Sequence, residues 1–220
     1  ELPTWTTANP EWEKRIVEGG SLVPFTPLFP DEAAAGLEVM RMLRIVDAPG
    51  SPTIGESCAP WVLDFAAAVF GSYDPESGRR LIREFFLMVP KKASKSTIAA
   101  AIMMTLLLRN WRMSAELIVL APTVEVADNA FRPARDMVKA DSELQDLLHV
   151  QEHVRTITHR TTGATLKVLA ADSATVGGKK ASFVLIDEIH LFGSVAAAEG
   201  MFREATGGLA ARPEGCVIYL

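Results

Sequence analysis

The octet Pro90-Lys91-Lys92-Ala93-Ser94-Lys95-Ser96-Thr97 stands between an apolar run, Glu84–Val89, and a long helical stretch that begins near Lys95. A loop that cradles phosphates needs main-chain N–H groups wrapped around them and a helix N-terminus aimed at them. It also needs a lysine for the outer phosphates and a hydroxyl for a magnesium ion. Lys95 and Ser96 supply the last two. The pattern GxxxxGK(S/T) is met at its lysine and hydroxyl but not at its glycines, where Val89 and Ser94 stand. Read alone, the octet also fits a solvated basic turn that starts a helix.

A second segment bears on that choice. Phe183-Val184-Leu185-Ile186-Asp187-Glu188 is an apolar run ending in two carboxylates, the form of a Walker B strand. There Asp187 would hold Mg²⁺ through water and Glu188 would polarise an attacking water. Acidic pairs also end strands simply because strand ends meet solvent. A lysine-hydroxyl loop after one strand, with a carboxylate pair after a later one, is nevertheless how a single nucleotide site is assembled at the carboxyl ends of a parallel sheet. Together the two segments point to a nucleotide site with Mg²⁺.

The elements that must position these groups follow from periodicity. Residues 1–55 hold seven of the prolines and predict two short helices, Glu11–Glu18 and Asp31–Asp47, a helical appendage that packs on a core without building one. Residues 56–220 alternate helices and strands. Helices are predicted over Pro60–Phe70, Lys95–Trp111, Val124–Ala140 and Val195–Ala205. Strands are predicted at Glu84–Val89, taken as buried, and at Leu117–Leu120, Phe183–Ile186 and Cys216–Leu220. A hairpin is predicted from Val154–His159 and Thr165–Leu169 around Thr162-Gly163. Continuous apolar strands between helices imply an α/β fold, a mainly parallel sheet covered on both faces. A chain ending on an apolar strand reads as cut.

Composition bounds the rest. The 220 residues are 49% apolar and 22% charged, enough for a sizeable core, and the net charge of −5 excludes coating nucleic acid through bulk positive charge. Any DNA contact must be local. Cys58 and Cys216 lie far apart, with neither disulfide-scaffold nor zinc spacing. The longest greasy stretch, Ile98–Leu108, is shorter than the ~20 residues a bilayer needs, and the N-terminus has no secretory pattern.

The stretches REFFLMVPKKASKSTIAAA and SFVLIDEIHLFG resemble the corresponding segments of the large subunit of tailed-bacteriophage terminases, the DNA-packaging ATPase, and the likeness runs from about Pro60 to Leu220. The resemblance implies a P-loop NTPase fold of the RecA/ASCE-like kind. It places Lys91 at the family's extra basic residue, Lys95 at the phosphate lysine, Ser96 at the Mg²⁺ hydroxyl, Asp187 at the metal carboxylate and Glu188 at the catalytic one. It implies ATP·Mg²⁺ hydrolysis that drives double-stranded DNA into a procapsid, by a ring of like subunits on a portal protein with a small terminase subunit as partner. The setting would be the host cytoplasm, without a membrane, and the nuclease would reside in a C-terminal part of the full protein.

Two departures stand out. Ser94 replaces the glycine before the lysine, and serine suits that place only where the backbone avoids positive φ. Pro60-Trp61-Val62 stands where the family often has a Trp-Gln pair near the adenine, so an amide readout of the base is lost, and Trp61 is left to stack on the purine or to fill the core. His190, Lys179, Lys180, Arg203 and Arg212 are weaker candidates for a loop contact or a trans-acting cation. Arg132, Arg135 and Lys139, at helical spacing, form either a DNA-facing stripe or an exposed helix face. A DExH superfamily 2 helicase fragment and a degenerate P-loop module without turnover are the alternatives.

Overall fold

The computed structural model describes residues 5–90, 92–171, 180–194 and 198–220. In chain order the elements are α1 (Trp12–Val17), α2 (Pro30–Met42), α3 (Ile54–Ser57), α4 (Pro60–Phe70), β1 (Tyr73–Asp74), β2 (Arg79–Arg80) and β3 (Glu84–Phe86). Then come α5 (Lys95–Leu108), β4 (Glu116–Ala121), α6 (Val124–Lys139), α7 (Ser142–Leu147), β5 (Leu148–Gln151), β6 (Thr156–His159) and β7 (Thr165–Ala170). The chain closes with β8 (Ala181–Ile186), α8 (Ala198–Gly207) and β9 (Cys216–Tyr219). Val195, where the last helix was expected to begin, lies outside the described residues.

Seven strands form one sheet in the order β3-β9-β8-β4-β7-β6-β5. From β3 to β7 every pairing is parallel, and β6 and β5 add an antiparallel extension. Successive strand residues point to opposite faces. Leu117, Val119, Phe183 and Leu185 therefore join one hydrophobic cluster, with α4, α5 and α6. Ile118, Leu120, Val184 and Ile186 join a second, with α8. The predicted α/β architecture with both faces covered is what the chain adopts.

Helix α5 explains why the middle of the chain is so apolar. All ten residues from Ile98 to Leu107 are buried, because the helix is covered on all sides. Around it α2 packs against α4 and α5, Arg109 grips Glu32 at 2.9 Å, and Met40, Leu43 and Ile54 belong to the same cluster as Ile102 and Leu117.

Two expectations are corrected. The helix predicted over Asp31–Asp47 ends at Met42. Leu43 is extended, and the following segment folds back, with Ile45 N–H donating to Pro52 O and Ile54 N–H to Leu43 O, both at 2.8 Å. Pro52 cannot continue a helix, and the reciprocal capping of Thr53 and Glu56 starts a new one. The run Glu84–Val89 is no buried strand: β3 is short and pairs only with β9, and Phe86 and Met88 are 62% and 83% exposed. Apolar character alone does not tell a sheet edge from its centre. The antiparallel β5, with α7 before it, has no counterpart in the periodicity reading.

Candidate functional site

The parallel strands end on one side of the sheet, and the candidate residues lie there. After β3 the chain runs through Pro90 and Lys92 into α5. The first helical bond of α5 is Ile98 N–H to Ser94 O at 3.0 Å, and among the described residues no side chain caps the helix. The N–H groups of its first turn, and its positive dipole end, therefore face outward. Lys91 lies outside the described residues. Lys92 and Ser94 take φ of +68° and +56°. Ser94 thus adopts the left-handed conformation that serine was expected to avoid.

Strand β8 delivers the carboxylates. It lies between β4 and β9, and its main chain is locked to its neighbours, Asp187 N–H donating to Leu120 O and Leu220 N–H to Ile186 O, each at 2.9 Å. Asp187 is 2% exposed, and its Oδ1 has no hydrogen-bond partner among the described residues. Burial pushes its carboxyl above the ordinary range and the Glu188 charge adds to this, while Lys95 opposes it. A buried carboxylate with an unanswered oxygen is a place for a cation, and hard oxygen donors suit Mg²⁺. Glu188 takes φ of +51°, a costly conformation for a side-chain-bearing residue. Its Oε2 accepts from Lys95 Nζ at 2.8 Å and lies 3.3 Å from His190 Nδ1.

Lys92, Ser94, Lys95, Ser96, Thr97 and Glu188 line one open cleft of about 340 Å³. Pro90 is exposed and Ala93 half-buried, and neither lines it. Nor does Trp61, which stands on the first turn of α4 and is 38% exposed. The cleft has two walls that sequence reasoning missed. One is the fold-back after α2, with Arg44, Ile45, Val46 and Asp47; the other is a face of α6, with Asn129, Arg132, Pro133 and Asp136. Pro49, Pro52 and the Thr53/Glu56 capping box were the available signals that a loop, and not more helix, follows α2. Of the supposed DNA-facing stripe, Arg135 and Lys139 pair with Glu152 and only Arg132 reaches the cleft. Lys179 lies outside the described residues.

The family model for the terminase large subunit, ATPase domain, matches residues 60–209. The chain belongs to that family. Among solved structures, the large terminase of bacteriophage HK97 superposes with a TM-score of 0.70 at 20% identity, covering 85% of this chain and 37% of that one. The large terminase of a thermophilic bacteriophage, in complex with ADP, gives a TM-score of 0.52 at 13% identity, covering 72% and 37%. At these identities the likeness is one of fold, and the chain spans 37% of the length of both terminases. Among curated proteins no relative matches.

Proposed function

We propose that this chain binds ATP with Mg²⁺ and hydrolyses it, as the ATPase part of a motor that drives double-stranded DNA into a procapsid. The observation that carries the reading is the convergence of Lys95, Ser96 and Glu188 on one cleft at the uncapped N-terminus of α5, with the buried, unanswered Asp187 immediately before Glu188.

In this reading Lys95 and the first-turn N–H groups of α5 hold the outer phosphates, with Lys91 as a further positive charge in the loop. Ser96 and Asp187 hold the metal, which when bound supplies charge neutralisation at the phosphates. Glu188 orients and polarises the attacking water, as a carboxylate poised beside a phosphate site does. Residues 1–55 serve as an appendage docked on a catalytic core of residues 56–220. In the full-length protein the partners are double-stranded DNA, like subunits in a ring, a portal protein and a small terminase subunit, in the host cytoplasm. Nuclease chemistry is assigned to another part of that protein. Among the described residues no helix is long and apolar enough to cross a membrane.

Steady-state phosphate release, with and without Mg²⁺ and with and without double-stranded DNA, tests the proposal. Turnover that needs Mg²⁺ and is lost in Lys95→Ala is expected. Nucleotide binding without turnover under every condition would leave a P-loop module and no motor.

A further inference from the structure

We infer that Arg132 is a second, in-chain cation for the polyphosphate of the nucleotide, an assignment that rests on the nucleotide reading above. Asn129, Arg132, Pro133 and Asp136 are spaced i, i+3, i+4 and i+7, so they share one face of α6, and all four line the cleft that Lys95 lines. The basic residues of that helix divide by partner. Arg135 Nε lies 2.7 Å from Asp136, and Arg135 Nη1 lies 3.2 Å from Glu152. Lys139 lies 2.5 Å from Glu152. Two cations thus meet two carboxylates, and the Arg132 side chain alone of the three has no ion pair or hydrogen bond among the described residues.

The other side of the cleft sharpens the assignment. Lys95 is engaged by Glu188, so an incoming anion meets Arg132 of α6 and Lys92 of the loop, neither of which has an ion pair among the described residues. A guanidinium stays charged at any working pH and matches phosphate oxygens two at a time, which a lone ammonium does not. A DNA track is the less fitting occupant: contact with a duplex backbone uses several cations in a row, and the row on α6 is broken where Glu152 neutralises Arg135 and Lys139.

The test is titration of the whole chain with ATP, ADP and AMP in the wild type, Arg132→Ala, Arg132→Lys and Lys139→Ala, with retention of a short DNA duplex measured in parallel. Arg132→Ala is expected to weaken ATP binding about tenfold, ADP less, and AMP hardly at all. Arg132→Lys should recover part of the loss, and Lys139→Ala, whose partner Glu152 does not line the cleft, should behave as wild type. Equal ATP affinity in Arg132→Ala and Lys139→Ala would overturn the inference, as would a loss that is the same for AMP as for ATP. Loss of duplex retention with ATP affinity intact would overturn it too and assign Arg132 to a DNA surface. Lys95→Ala separates the two levels: unchanged ATP affinity in that variant overturns the nucleotide reading itself.

Discussion

Lys95 Nζ lies 2.8 Å from Glu188 Oε2, so the cation proposed for the phosphates and the carboxylate proposed for the water neutralise each other across 93 residues of chain. His190 Nδ1 approaches the same oxygen at 3.3 Å. In the proposed function a bound triphosphate would draw Lys95 away and so release Glu188 toward its water. Both side chains are partly exposed, and such a pair is worth only about 0–1 kcal/mol, which several charge-assisted phosphate contacts exceed.

Glu188→Gln should therefore bind ATP as well as the wild type or up to about fivefold more tightly, since Lys95 no longer has to leave a carboxylate. Turnover should fall by roughly 10²–10⁴, the usual worth of a positioned base. Equilibrium binding and phosphate release on the same preparation check both. A variant that loses binding together with turnover would show that Glu188 builds the site and does not act on water.

Asp187→Asn should raise the melting temperature of the nucleotide-free, metal-free protein by about 2–4 °C, the shift that ~1 kcal/mol produces in a chain of this size. It exchanges a buried charge for a neutral amide. The pH dependence gives the sign. A carboxyl whose folded pKa is raised binds more protons in the native state than in the unfolded one, so its contribution declines as pH rises from the ordinary carboxylate range through the raised value. The wild type should lose stability across that window and the variant should lose less of it. The same substitution should weaken the Mg²⁺ dependence of ATP binding.

At Ser94 the left-handed backbone costs a side-chain-bearing residue roughly 1–2 kcal/mol, of which glycine returns part, offset by its freer unfolded chain. Ser94→Gly should thus be neutral to about 1 kcal/mol stabilising with ATP binding retained, and Ser94→Val clearly destabilising. Thermal melts of the two variants side by side decide it. Equal midpoints would mean that the loop relaxes out of the strained conformation at no cost.

Gly36 lies where α2 crosses α4, and a Cβ there would run into the ring of Phe70. Alanine is the better helix former by about 1 kcal/mol, so an isolated α2 would gain from Gly36→Ala. In the docked helix the clash should win, destabilising by about 1–3 kcal/mol in one cooperative transition. Stabilisation, or a second transition at lower temperature, would mean that α2 does not melt with the core.

Much of this was legible in the residues themselves. The loop from Pro90 to Thr97 announces a turn into a helix because a basic, hydroxyl-rich segment follows an apolar run and precedes an unbroken helical one. Phe183–Glu188 announces the carboxyl end of a strand because a short run of large apolar residues, Val and Ile among them, stops at two carboxylates. Helix α4 was readable to the residue, with Pro60 at its first position and Gly71 past its end. These are local facts, set by φ/ψ preferences and by which side chains tolerate water.

Strand order is not local. β3 lies beside β9, the last strand of the chain, and nothing in the apolar pattern of Glu84–Phe86 names that partner. Hence a run of apolar residues passed for a buried strand when it forms an edge. The second wall of the cleft is non-local for the same reason: Arg44 to Asp47 reach the phosphate loop only because α2 docks on α4 and α5 and the chain then doubles back at Pro52. Arg132, Arg135 and Lys139 look equivalent at helical spacing. Only the position of Glu152, brought alongside by the turn that follows β5, separates the two neutralised cations from the one left facing the cleft.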